Sequence, residues 1–173
     1  MINAGKKFEN RWKDCVPDYV LYYRLPDPPQ SFNQSNNLRF SWKNPCDNFL
    51  FDGSTRTFFA LELKSSKSKS FSFEKEKGTY KTANIHYHQI EALTKFAKID
   101  FVKSGFIFNF RYEDKNTERT YFQDIHDFNN MINEISKKSF NEKDLLQHNP
   151  ILIEQTKILS PLRFAISLKN LKN

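Results

Sequence analysis

The segment Phe58-Phe-Ala-Leu-Glu-Leu-Lys64 constrains the fold more than any other stretch of this chain. In an extended strand, residues two apart point to the same side. Glu62 and Lys64 then share one face, with Phe58 and Ala60 upstream on it, and Phe59, Leu61 and Leu63 share the other. A strand that is apolar on both faces and ends in two charges is read as a buried central strand with a chemical group at its mouth. Upstream, Cys46-Asp-Asn-Phe-Leu-Phe51 is read as a preceding antiparallel strand, with Asp52-Gly53 as the turn. That hairpin brings Asp47 close to Glu62.

An aspartate beside a Glu-x-Lys triplet suits a divalent metal held next to a lysine. Mg²⁺ takes oxygen ligands and keeps several waters, so one or two carboxylates and a substrate phosphate complete its shell. Such an ion lowers the pKa of bound water and offsets charge developing on a phosphate. An ammonium alongside steadies the phosphate or the attacking water. The same spacing also fits an ordinary ion pair at a strand end.

The chain has 173 residues, enough for one domain with a proper core. Lys and Arg number 27 against 20 Asp and Glu, a net charge of +7 that favours a polyanionic partner, nucleic acid before membrane. No apolar run is long enough to span a bilayer, and no signal-peptide pattern opens the chain, so a cytoplasmic protein is expected. Cys15 and Cys46 are expected to be reduced, packed thiols, and with the scattered histidines they make no zinc pattern.

Phe8, Trp12 and Cys15 lie at helical spacing within residues 4–15, and Pro17 ends that element. Tyr19 to Arg24 reads as a strand, and Leu25 to Asn37, rich in Pro, Asn and Ser, as an irregular loop. Strands at 46–51 and 57–64 precede a lysine- and serine-rich stretch at 65–81, expected to be a flexible cationic loop able to clamp a phosphate backbone. A helix at 83–98, strands at Val102–Phe110 and Glu118–Asp124, and helices at 125–137 and 141–147 complete the plan; 150–171 is less clear. The fold class is α/β, a mixed central sheet flanked by helices, in one domain.

Read in order, Gly5-Lys-x-Phe-Glu9, Tyr22-Tyr-Arg24, Asn44-Pro-Cys-Asp47, Leu61-Glu-Leu-Lys64-Ser, His86-x-His-Gln-Ile90, Gly105-Phe-x-x-Asn-Phe-Arg111 and Tyr121-Phe resemble the RecU family of Holliday-junction resolvases, within the wider PD-(D/E)xK nucleases. The resemblance runs from about Gly5 to Phe122. It implies a restriction-endonuclease-like fold and a homodimeric endonuclease, dependent on Mg²⁺ with Mn²⁺ as a substitute, that nicks four-way DNA junctions in recombination and repair. It also implies that Asp47 and Glu62 hold the metal and that Lys64 is the catalytic lysine. Gln89 is the glutamine lining the site, and Glu9 the glutamate of the first helix. Arg24 and Arg111 fall at basic positions suited to phosphate, and Lys67 and Lys69 join them as expected DNA contacts from the cationic loop. The stretch at about 25–43 takes the place of the family's projecting stalk but is short, which weakens the expected preference for junctions over other branched DNA. The heavy use of Lys, Asn, Phe and Ile fits an AT-rich bacterial or phage genome.

Two rival readings accompany this one: a nuclease of the same fold acting on ordinary duplex, and a protein that binds branched or single-stranded DNA without cutting it. The aromatic fraction of 16% favours the latter only if aromatics serve as stacking platforms, yet most of the 18 phenylalanines sit in core-like patterns. On a continuous helix His86 and His88 diverge by about 200°, which leaves His86 the one able to lie beside Gln89. Either histidine is more simply read as a hydrogen-bonded structural residue.

Overall fold

A computed structural model of the chain describes residues 4–26 and 43–157. Nearly all of the expected projecting loop, and everything after 157, lie outside the described residues.

Helix α1 (Ala4–Cys15) turns Phe8 and Trp12 to one side, four residues apart, and both are buried. Strands β1 (Val20–Arg24), β2 (Asn48–Asp52) and β3 (Thr57–Ser66) form an antiparallel meander, with Asn48 opposite Leu61 and Asp52 opposite Thr57. At its second hairpin, Asp52 accepts hydrogen bonds from Ser54 N (2.9 Å), Ser54 Oγ (2.7 Å) and Thr55 Oγ1 (2.8 Å). The aspartate thus ends the strand and shapes a four-residue turn.

A short strand β4 (Ser70–Ser72) and helix α2 (Tyr87–Phe96) lead to β5 (Val102–Tyr112), which lies parallel to β3 from Phe58–Val102 to Ser66–Phe110. A 3₁₀ turn (Glu113–Lys115) reverses the chain into β6 (Thr117–Asp124), followed by α3 (Ile125–Glu134), β7 (Ser139–Asn141), α4 (Glu142–Leu145) and β8 (Ile151–Lys157). The main sheet runs β1-β2-β3-β5-β6-β8, and β4 pairs with β7 in a separate small sheet. The sheet is mixed and flanked by helices, as expected.

Each face of the sheet carries its own core. Phe59, Leu61 and Leu63 pack with Leu50, Ile107 and Phe122 against Phe8 and Trp12 of α1. On the other face Ala60, Phe106, Phe108 and Phe110 meet α2 through Ile90 and Leu93, α3 through Phe128 and Met131, and the small sheet through Phe71 and Phe140. The phenylalanines interlock edge and face: Phe106–Phe128 centroids lie 4.6 Å apart, and Phe108–Phe140 centroids 5.1 Å apart at 71°. Among the described residues most phenylalanines are core, while Tyr19, Tyr23, Phe51 and Phe101 are exposed.

Three expectations need correction. The stretch 65–81 is not a flexible loop throughout: β3 continues to Ser66, and Phe71, Phe73 and Glu74 are buried. Phe71 and Phe73 alternate with serines, a strand period that the surrounding lysines obscure. The helix expected from 83 begins at Tyr87, because Ile85 forms a parallel bridge with Phe73 instead of a helical turn. His86 is therefore the extended N-cap of α2 (φ −91°, ψ 149°), and its ring stacks on His88 at 5.7 Å and 16° rather than diverging from it. The small sheet β4–β7 and strand β8 went unanticipated.

Candidate active site

Asp47 stands one residue before β2, where the ladder to β3 is still closed by Asp47 N–H donating to Leu61 O (3.1 Å). Its carbonyl accepts from Leu25 N–H (2.9 Å), which ties the end of β1 to the same corner. Its Oδ2 accepts from Leu63 N–H at 2.7 Å. The hairpin thus holds Asp47 beside Glu62, as the spacing predicts.

Glu62 is 3% exposed and projects from β3 toward α2. Its Oε1 receives Lys64 Nζ at 2.9 Å and also Gln89 Nε2. Gln89 is aimed by its own backbone surroundings: its Oε1 accepts from the His86 N-cap N–H at 2.9 Å, which directs the amide nitrogen at Glu62. Asp47, Glu62, Lys64 and Gln89 therefore converge, drawn from the β2–β3 hairpin and the first turn of α2.

Glu9 of α1 lies close enough for its charge to raise both Asp47 and Glu62, but its contacts are with Lys6 Nζ (3.1 Å) and with Arg24 Nη2 (3.1 Å) and Nε (3.3 Å). Arg24 thus flanks the site with Glu9. Lys67 is exposed at the end of β3. Arg111 lies elsewhere, on the α1 face of the sheet, where its Nε donates to Ser65 Oγ (3.1 Å) beside Asn109. Lys69 also points away from the carboxylates, to Asp114 at 3.0 Å.

Burial raises the Glu62 carboxyl to about 7; Lys64 works against this and the charge of Asp47 adds to it. Asp47 is raised as well, by burial first, opposed by the Leu63 N–H and Lys64. Burial together with Glu62 and Asp47 pushes the buried Cys46 thiol up, so it is a packed, un-ionised side chain. His88 is held below its usual value by burial, Lys43, His86 and Lys64.

The donor set fits a hard divalent cation. Asp47 Oδ1 and Glu62 Oε2 accept no hydrogen bond among the described residues, so each carboxylate keeps an oxygen free. No group of three or more His, Cys, Asp or Glu side chains that could cage an ion occurs among the described residues. Two carboxylates, water and phosphate are the shell Mg²⁺ ordinarily accepts.

Glu74 was not singled out by the sequence. Its carboxylate accepts from Tyr87 N–H (3.0 Å) and Gly78 N–H (2.5 Å) and lies 3.6 Å from His86 Nδ1, fixing the helix turn that presents Gln89. A lone glutamate thirteen residues before the helix residue it caps carries no periodic signal.

The raised Glu62 has a measurable consequence. Without metal, folding favours its protonated form, so its contribution to stability is present at low pH and falls as pH rises from 4.5, its ordinary value, through about 7. Glu62→Gln removes this contribution and leaves only that of Asp47, which is raised too. Its melting temperature should gain on that of the parent across this window in EDTA; a difference that stays constant with pH contradicts the shift.

No family model matches the chain. The SPbeta prophage-derived uncharacterized protein YotM of Bacillus subtilis (strain 168) is 33% identical over 144 residues, covering 83% of this chain and 64% of that protein. The chain thus spans just under two thirds of its relative's length. A solved structure of Hjc, a Holliday junction resolvase from the archaeal hyperthermophile Archaeoglobus fulgidus, is 16% identical, with 86% of this chain and 91% of that chain covered at a TM-score of 0.46. No helix of the described residues is long and apolar enough to cross a membrane.

Proposed function

We propose that this chain is a Mg²⁺-dependent DNA endonuclease, a single nuclease domain that hydrolyses phosphodiesters at four-way junctions. The observation that carries this reading is the convergence of Asp47, Glu62, Lys64 and Gln89 around carboxylate oxygens left free for a cation. The order of motifs shared with RecU-type resolvases supports the junction as substrate, and the net charge of +7 supports DNA as partner. The setting is the cytoplasm of a bacterial cell, with host or phage DNA as substrate.

Asp47 and Glu62 hold Mg²⁺, or Mn²⁺ in its place. When bound, the ion supplies an acidified water and charge neutralisation at the phosphate. Lys64 exchanges its partner, Glu62, for a phosphate oxygen and stabilises the charge that develops there. Gln89 keeps Glu62 oriented throughout, because its amide is locked by the His86 N–H. Arg24, held by Glu9, adds a positive contact for the backbone at the rim of the site.

The working form is a homodimer, since symmetric nicks need symmetric sites. An apolar strip supports this: Leu21 is 68% exposed, Tyr23 57% and Phe51 41%, on the edge strand β1 and its partner. The strip continues through Phe58, opposite Phe51, to Phe101, which is 79% exposed and whose carbonyl accepts from Phe58 N–H. Leu21→Glu with Phe101→Glu should convert a dimer to a monomer by light scattering; a parent chain that is monomeric throughout contradicts the assignment.

The deciding experiment is cleavage of a labelled immobile four-way junction beside matched linear duplex, in Mg²⁺ or EDTA. Paired symmetric nicks that need Mg²⁺ support the proposal. Equal cutting of both substrates points to a duplex nuclease, and tight binding without a product points to a recognition protein.

A further inference from the structure

A second basic feature lies on the same face of the sheet as Glu62 and Lys64, beyond the small sheet. Tyr112 is four residues past Phe108, the β5 partner of Lys64, about 13 Å along the strand. Around it opens a groove of about 560 Å³, lined among others by Lys69, Lys115, Arg119, Glu142 and Lys143. These side chains come from the β3–β4 connection, the β5–β6 reversal, β6 and α4.

The groove is built, not a chance gathering of lysines. Glu142 is buried at its floor, where Tyr112 Oη, Tyr121 Oη and Arg119 Nη1 all donate to it, Tyr121 at 2.5 Å and Arg119 at 3.1 Å. These bonds hold Glu142 below its usual value against the burial that would raise it, so the carboxylate stays ionised and fully engaged. Arg119 is thereby fixed above the Tyr112 ring at 5.7 Å, and Lys69 lies over the same ring at 5.8 Å while paired with Asp114. Lys115 and Lys143 are exposed and form no ion pair among the described residues. Four cations thus face two carboxylates, and the two arranged over Tyr112 lose little freedom when an anion arrives.

We infer that this groove binds the sugar–phosphate backbone of the DNA arm leaving the active site. The inference rests on the nuclease reading above. A separation of about 13 Å corresponds to roughly four base-pair steps of duplex, so one arm reaches both places. The segment from Lys64 through Lys67 to Lys69 joins the two sites along one stretch of chain. The contact is to phosphate, so it strengthens binding without reading sequence.

The test is fluorescence anisotropy of a labelled four-way junction in EDTA over a salt series. Three proteins are compared: the parent, Lys115→Ala with Lys143→Ala, and a control with Lys13→Ala and Lys98→Ala. The control removes the same charge from exposed positions elsewhere. The groove variant should bind about tenfold more weakly, with a log–log salt slope shallower by about 1.8, as expected for two lost phosphate contacts. The control should change far less. Parent-like affinity and slope in the groove variant overturn the groove while leaving the nuclease reading intact, and would make an acidic protein surface the occupant to seek. A parent that binds no DNA overturns both.

Discussion

Asp47→Ala should cut at least on the order of a thousandfold more slowly than the parent, while binding junction DNA as tightly or more tightly. The substitution removes one of two carboxylates with a free oxygen, and with it a place for the cation. It also removes the acceptor of the Leu63 N–H and one of the charges that raise Glu62. The remaining Glu62 ionises more readily but has lost its co-ligand, so cleavage falls even in molecules that keep the fold. DNA affinity holds or rises because a negative charge no longer faces phosphate. Single-turnover cleavage and anisotropy, run on the same preparation, separate the two effects. Cleavage at the parental rate would remove Asp47 from the site.

Gly105→Ala should be far more damaging than a methyl added at Gly53. A Cβ at this position of β5 would lie 2.2 Å from the Gln123 carbonyl oxygen and 2.9 Å from the Phe122 ring. The neighbour is backbone of the adjacent strand β6, held in register from Gly105–Asp124 to Tyr112–Thr117, so it cannot step aside without opening the ladder. A cost of about 3 kcal/mol or more follows, a fall in melting temperature on the order of 10 °C for a chain of this size. Gly53→Ala is the control, since its Cβ would meet nothing nearer than the Phe51 ring at 3.8 Å. Thermal unfolding followed by circular dichroism checks both; equal melting temperatures for the two variants contradict the close approach.

The β2–β3 hairpin was legible because its signals agree. A strand apolar on both faces, a turn at Asp52-Gly53 and two charges at the strand mouth admit one arrangement, and Glu62 and Lys64 share a face as period two requires. Gln89 was placed by resemblance, and the reason for its aim, an extended His86 that caps α2, has no sequence signature of its own. The helix start was misread because Ile85, Ile90 and Leu93 satisfy helical spacing even though Ile85 bridges to Phe73. Composition misled at 65–81: lysines and serines dominate the count, but Phe71 and Phe73 decide the structure by burial. Arg111 shows a different gap. Its strand was read only as far as Phe110, and which face Arg111 occupies depends on the register of β5 against β3, and that depends on contacts more than forty residues apart.

The groove and the polar layer under α1 lay beyond the sequence for the same reason. Arg11 pairs bidentately with Glu118, which also receives Asn109, across 107 residues, and Tyr112 reaches Glu142 across 30. Charged residues scattered along a chain give no hint of such partners, because the strands that join them must first be paired.

The measurement that bears most directly on the central claim is Mn²⁺ binding followed by electron paramagnetic resonance in the parent, Asp47→Ala and Glu62→Ala. Saturable binding in the parent that is lost in both variants is the predicted result. A parent that binds no ion, with or without junction DNA, or variants that bind it as the parent does, would contradict the assignment of Asp47 and Glu62 as the metal-holding pair.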